Sequence, residues 1–383
     1  MLRRTTPVMA ALLATATLTP TVTATAAEQP THGTQLQHTL DALVAAGAPS
    51  AVAEVRDGDT VHRLASGLAD PGAHDPARPA DRFRAGSVTK SFVATVVLQL
   101  VAEHRIGLDD PIGRHLPGLV PDGTDGAPVT VRQLLDHTSG IHNYTDEYRG
   151  NLATSLRGAQ RDHRTPREVI AEALRAPRKF TPGAPGAWEY SNTNYVVLAL
   201  LIEKVTHHSL GREIDRRIVR PLRLRDTYVP TTDRLTGGRH LRGYEVFPKE
   251  TAATDFTDFS PTFFWGPGSI VSTTADLNRF FRALSGGRLL PPHLWREMTT
   301  WHEMGGERKD RRYGLGLESN AGYCPGEEPV RGHTGSVPGY NTYSFTTADG
   351  RRQVTLAIGR EFTKPDDANA AARKFLATAL CSR

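Results

Sequence analysis

The chain has 383 residues, 38% of them hydrophobic and 23% charged, with 35 Gly and 26 Pro. That length holds one large or two medium domains, and the periodic apolar segments exclude a wholly disordered or collagen-like chain. The net charge is +5, but the 46 basic residues are interleaved with 41 acidic ones rather than gathered into a run or stripe. This reads as a mixed-charge, solvated surface and not as the footprint of a nucleic-acid binder.

The amino terminus reads as an export signal. Arg3 and Arg4 precede an apolar stretch from about Pro7 to Leu18, and Ala24-Thr25-Ala26 matches a small-x-small cleavage site. The apolar stretch is too short to span a bilayer. Removal of residues 1–26 is expected to leave a mature chain with no integral membrane segment, in an extracellular or periplasm-like space. The two cysteines, Cys324 and Cys381, fit that compartment. They can pair as one disulfide or stay as buried thiols, and no partner lies at zinc-site spacing from them.

Residues 34–46 carry Leu36, Leu40 and Leu43 at helical spacing. Ser50–Val55 and Thr60–Ala65 read as two strands around the Asp57-Gly58 turn signal, and 68–82 as a surface loop. Ser87–Ile106 is the strongest helix, with Phe92, Val93, Val96, Val97, Leu100 and Val101 repeating at three and four and Gly107 as its stop. From there to about residue 310 helices and loops prevail: Val131–Leu135, Arg167–Leu174, Tyr195–Val205, Arg212–Val219, Ala275–Ser285 and Pro292–Thr299. Val330–His333, Tyr340–Thr346 and Gln353–Ile358 are β-rich, with Asp349-Gly350 as a hairpin signal, and Asp367–Leu380 closes as a helix. The expected fold is α/β of the α+β type. Both chain ends, 27–92 and 310–383, build one antiparallel sheet flanked by helices, and 93–309 is an inserted, mainly helical domain with a cleft between the two.

Three short motifs bear chemistry. Ser87-Val88-Thr89-Lys90 is S-x-x-K, placed where a loop meets the strong helix. Three residues along a helix bring the two side chains to one face. A serine hydroxyl needs a base to become a nucleophile, and a lysine serves only if its pKa is lowered. Tyr190-Ser191-Asn192 is Y-x-N before an apolar helix. Tyr190 can relay a proton, and Asn192 offers a donor and an acceptor to a substrate amide. His333-Thr334-Gly335 lies on a predicted strand. Thr334 can donate to a substrate oxygen, Gly335 permits close backbone approach, and the N–H of Ser336 can join that of Ser87 as an oxyanion hole. Each motif alone is also satisfied by a helix cap, a packed ring or a strand-end polar cluster.

In this order and spacing the three motifs resemble those of the penicillin-recognising serine hydrolases: class C β-lactamases, secreted D-alanyl-D-alanine carboxypeptidases, and related esterases and D-amino-acid amidases. Likenesses at Phe83–Gly86, Leu134–Gly140, Pro267–Thr273 and Tyr313–Gly316 extend the resemblance over most of the chain. It implies the β-lactamase/transpeptidase-like fold, no cofactor and an acyl-enzyme on Ser87. Lys90 and Tyr190 would handle the proton, and Asn192 would hold the acyl side. His333 and Thr334 would line the leaving-group side, with Trp265 as an aromatic wall. The substrate would be a small peptide, an ester or a β-lactam. The nearest likeness is to the secreted carboxypeptidases, which share H-T-G and two late cysteines placed like Cys324 and Cys381. They imply a penicillin-binding peptidase acting on D-Ala-D-Ala ends of cell-wall peptides, and a monomer is expected. An esterase, a β-lactamase, a D-amino-acid amidase or an aminopeptidase is the alternative within the family. A non-catalytic binder of cell-wall fragments is the alternative outside enzymes.

One departure bears on substrate. Those carboxypeptidases anchor the substrate carboxylate with an Arg shortly before the first Cys, where this chain has Glu318-Ser319-Asn320-Ala321. Arg331, two residues before His333, is the candidate replacement. Pro338 also stands where the carboxypeptidases carry a polar residue. His302-Glu303 lacks the second His of a zinc-protease helix, and no metal is expected.

Overall fold

The computed structural model describes residues 31–122, 126–149, 156–158, 160–161, 163–247, 250, 252–305, 309–360 and 367–382. The expected export segment, 1–26, lies outside them. Helix α1 (His32–Ala45) buries Leu36, Leu40 and Leu43, one apolar stripe at the expected spacing. Strands β1 (Ser50–Asp57) and β2 (Thr60–Asp70) form the first hairpin. Its turn is one residue later than the sequence signal, because Asp57 pairs with Thr60 and leaves Gly58-Asp59 as the loop. The short strand β3 (Asp75–Pro76) continues the edge inside the stretch expected to be a loop.

Nine described strands form the main sheet. β4 (His302–Glu303), β5 (Arg311–Tyr313) and β6 (Glu318–Asn320) precede the long strands β7 (Val330–Val337), β8 (Tyr340–Thr346) and β9 (Arg352–Ile358). The order is β3-β2-β1-β9-β8-β7-β6-β5-β4. The two chain ends meet where β1 pairs antiparallel with β9, Ala51 opposite Ile358. This is the expected antiparallel sheet built from both ends. The small edge strands β4 to β6 carry few β-branched residues, and tertiary pairing rather than propensity makes them strands.

Each face of the sheet is covered. On one side α1 and the closing helix α6 (Asp367–Leu380) bury Val55, Phe345, Leu356 and Phe375. On the other, Asn278 of helix α5 (Thr274–Ser285) donates to the Glu54 carbonyl and accepts from Thr355 Oγ1. The larger core on that side centres on α2 (Thr89–Ala102). α2 is shorter than the expected 87–106 helix. A 3-10 turn over Gly86–Val88 precedes it, and left-handed His104 follows its last turn. Phe92, Val93, Val96, Val97 and Leu100 are all fully buried. α2 packs against α4 (Asn192–Thr206), whose first residue is the last of the second motif and on which α3 (Pro166–Ala173) also packs. A disulfide joins Cys324, just after β6, to Cys381 at the end of α6. Among the described residues no helix is long and apolar enough to cross a membrane.

Candidate active site

Ser87 sits in the 3-10 turn that opens α2, and Lys90 lies one turn on. The turn begins at Gly86, whose φ of +56° and close approach to β7 both require glycine. A Cβ there would stand 2.8 Å from the Ser336 backbone nitrogen. Gly335 is equally constrained from the strand side, since a Cβ would stand 2.0 Å from the Ala85 carbonyl oxygen. The two glycines press the Ser87 turn against β7. This brings the Ser87 and Ser336 backbone N–H groups to neighbouring positions.

Lys90 is fully buried. Its Nζ lies 3.0 Å from Ser87 Oγ, 2.7 Å from Asn192 Oδ1 and 3.0 Å from the Pro267 carbonyl oxygen. Burial holds its pKa well below the usual lysine range, against the opposing pull of the Glu318 carboxylate. A neutral amine has two N–H donors and one lone pair. Asn192 Oδ1 and the Pro267 carbonyl can only accept, so they take the two N–H bonds and leave the lone pair for the Ser87 hydroxyl. Tyr190 donates to Ser87 Oγ from the other side, at 2.9 Å. Ser87, Lys90, Tyr190 and Asn192 are therefore in one cluster, although the last two lie about a hundred residues from the first.

Asn192 is tied at both ends of its amide. Oδ1 accepts from Lys90, and Nδ2 donates to Thr145 Oγ1 at 3.0 Å. One N–H and one lone pair remain for a substrate. Trp265 is half-buried in the loop that leads to the Pro267 carbonyl. His333 is buried at 1% exposure. Its Nε2 accepts from Tyr313 at 2.9 Å, and its Nδ1 faces the Thr334 carbonyl at 2.5 Å. Burial lowers its pKa, with Glu318 pulling the other way. The imidazole is thus neutral, with its proton on Nδ1.

Thr334 departs from its expected part. Its hydroxyl proton goes to Glu318 Oε1, at 2.7 Å, rather than toward the cleft. Arg331 stands three residues before Thr334 on a strand of unbroken register, so its side chain leaves the opposite face, and its Nη2 donates to the exposed Glu328 at 3.0 Å.

Sequence reasoning passed over two groups here. His137, within the Leu134–Gly140 segment, is buried with its ring 4.4 Å from that of Tyr190. Its Nδ1 accepts from the Ser191 N–H, so the proton is on Nε2, and burial lowers its pKa and keeps it neutral. Tyr313, from Y-G-L-G, packs on the same ring at 4.7 Å and orients His333. An aromatic flank of this kind leaves no spacing signature, because its members come from three separate segments.

The Beta-lactamase family model matches residues 36–379. The chain belongs to this family of serine β-lactamase and penicillin-binding-protein fold hydrolases. A solved structure of a D-stereospecific amidohydrolase from Streptomyces sp. is 36% identical, with a TM-score of 0.79 over 90% of this chain and 98% of that one. The D-amino acid amidase of Ochrobactrum anthropi SV3 is 26% identical, with a TM-score of 0.78 over 91% and 98%. Esterase EstB of Burkholderia gladioli is 36% identical over 181 residues, 45% of this chain and 44% of the esterase. This chain thus matches less than half of that relative's length.

Proposed function

We propose that this protein is a serine hydrolase that forms an acyl-enzyme on Ser87 with small amides, esters and peptides of D-amino acids. The observation that carries the reading is the Lys90 amine. It is buried with its pKa held well below the usual lysine range, and its Nζ lies 3.0 Å from Ser87 Oγ with two pure acceptors, Asn192 Oδ1 and the Pro267 carbonyl, beside it, so that the neutral amine would turn its lone pair to that hydroxyl.

In the reaction the Ser87 proton passes to Lys90 Nζ as Oγ bonds to the substrate carbonyl carbon. The oxyanion is held by the Ser87 and Ser336 N–H groups. The tetrahedral species collapses, the carbon–nitrogen or carbon–oxygen bond breaks, and the leaving group takes a proton delivered by Tyr190 and replaced from Lys90. Water then repeats the cycle and frees the acid. Asn192 and Trp265 border the acyl side, and β7 from His333 to Ser336 borders the leaving group. The mature chain is exported, in keeping with its leader-like first 26 residues and its disulfide.

The amidase type is favoured over the D-alanyl-D-alanine carboxypeptidase type, because Arg331 is held by Glu328 and supplies no anchor beside Thr334. The names of the amidohydrolase and amidase relatives support the same choice. The test combines intact-mass analysis with benzylpenicillin and with D- and L-amino acid amides, with Ser87→Ala alongside. The reading expects a covalent adduct on the Ser87 peptide, absent in the variant, and turnover of D-amides. Absence of any adduct and any turnover would refute it and leave the non-catalytic binder.

A further inference from the structure

Glu318 is the least expected group near the cleft. It is a carboxylate at 3% exposure, on β6 opposite Gly332 of β7. A buried carboxylate is costly unless it is paired and hydrogen-bonded. Its Oε1 accepts the Thr334 hydroxyl at 2.7 Å and lies 3.4 Å from His333 Nδ1. Its Oε2 has no hydrogen-bond partner among the described residues and faces the Arg311 guanidinium at 3.9 Å. Burial alone would push this carboxyl up, but the His333 Nδ1–H dipole beside it, the Arg311 guanidinium and the bond from Thr334 hold it below the usual range.

An ionised carboxylate only accepts hydrogen bonds, so the one proton of the Thr334 hydroxyl is committed to it. Thr334 itself is half-buried, two residues before Ser336 on β7. What remains on its Oγ1 is lone-pair density, backed by a negative charge. A group docking there meets an acceptor. A carboxylate would need the donor that Thr334 no longer has, and would lie next to a second carboxylate.

We propose that the Thr334–Glu318 pair makes the leaving-group end of the cleft a hydrogen-bond acceptor, so that the preferred substrates release an amine bearing further N–H donors, neutral or cationic, and not a free amino acid carboxylate. This rests on the hydrolase reading above, in which β7 borders the leaving group.

The test uses the mature protein and one N-acyl-D-alanyl group carried on four leaving groups: D-alanine, D-alaninamide, ethylenediamine (mono-acylated, its far amine an ammonium) and p-nitrophenol. The expected order of kcat/KM among the amides is ammonium at or above neutral amide, and neutral amide above carboxylate by at least about tenfold. Glu318→Gln, which removes the charge and keeps the shape, should narrow that last gap toward unity. If the variant does not fold, the order measured on the natural chain still decides. Turnover of the D-alanine peptide as fast as the amide, or a folded Glu318→Gln with the gap unchanged, would overturn the inference alone. Failure of the nitrophenyl ester to acylate Ser87 would overturn the hydrolase reading and this inference with it.

Discussion

Replacement of Lys90 by Met separates chemistry from stability. Met fills a similar volume but has neither a basic lone pair nor the N–H donors. A general base contributes roughly 10²–10⁴ in rate, so acylation of Ser87 should fall about a thousandfold, or about 4 kcal/mol of barrier. Stability has two opposing parts. The change orphans Asn192 Oδ1 and the Pro267 carbonyl, at roughly 1–3 kcal/mol each. It also removes an amine whose burial opposes its charge. The second part depends on pH. The folded pKa of Lys90 is lowered, so between that value and the usual 10.5 the unfolded chain binds the extra proton. Natural-chain stability then rises with pH by up to about 1.4 kcal/mol per unit from this group, and the variant lacks that slope. The variant's deficit should therefore be larger at pH 9 than at pH 7. Stopped-flow acylation by a nitrophenyl ester and urea unfolding at both pH values read the two parts. A rate loss under about tenfold would refute Lys90 as the base. An identical deficit at both pH values would refute its neutral, desolvated state.

Other expectations follow from the same geometry. Tyr190→Phe removes the donor to Ser87 Oγ, so amide hydrolysis should drop about a hundredfold. Nitrophenyl ester hydrolysis should drop much less, since that leaving group needs no proton; equal losses in parallel kinetics would argue against the relay. Gly86→Ala forces a side chain into a positive-φ turn 2.8 Å from the Ser336 nitrogen. It should abolish acylation in the penicillin mass assay while circular dichroism stays native-like. Cys324→Ser with Cys381→Ser opens a loop of sequence separation 57. Chain entropy puts the loss at about 4 kcal/mol at most, readable as a lower urea midpoint.

Much of the site was legible before any fold was drawn. Ser87 and Lys90 share a helical turn, so their meeting is a local consequence of spacing. The strong apolar period of residues 92–101 and the β-rich closing segments likewise announce α2 and β7 to β9. The reach of Tyr190 to Ser87 was inferred only through likeness to a family, because no local rule connects residues a hundred apart. Thr334 shows the limit in the other direction. Its hydroxyl is a donor by type, but its neighbour across the β6–β7 ladder determines where the proton goes. Glu318 stands on a three-residue strand with no β-rich pattern to announce it.

The sequence by itself determined the local elements, the composition of each motif and the chemistry each side chain is able to do. Only the tertiary structure decided which of those capacities are free. Burial set Lys90 toward the neutral amine, two acceptors aimed its lone pair, and Glu318 took the proton of Thr334. Protonation and hydrogen-bond direction depend on solvent exclusion and on partners distant along the chain, and both exist only once the chain has packed.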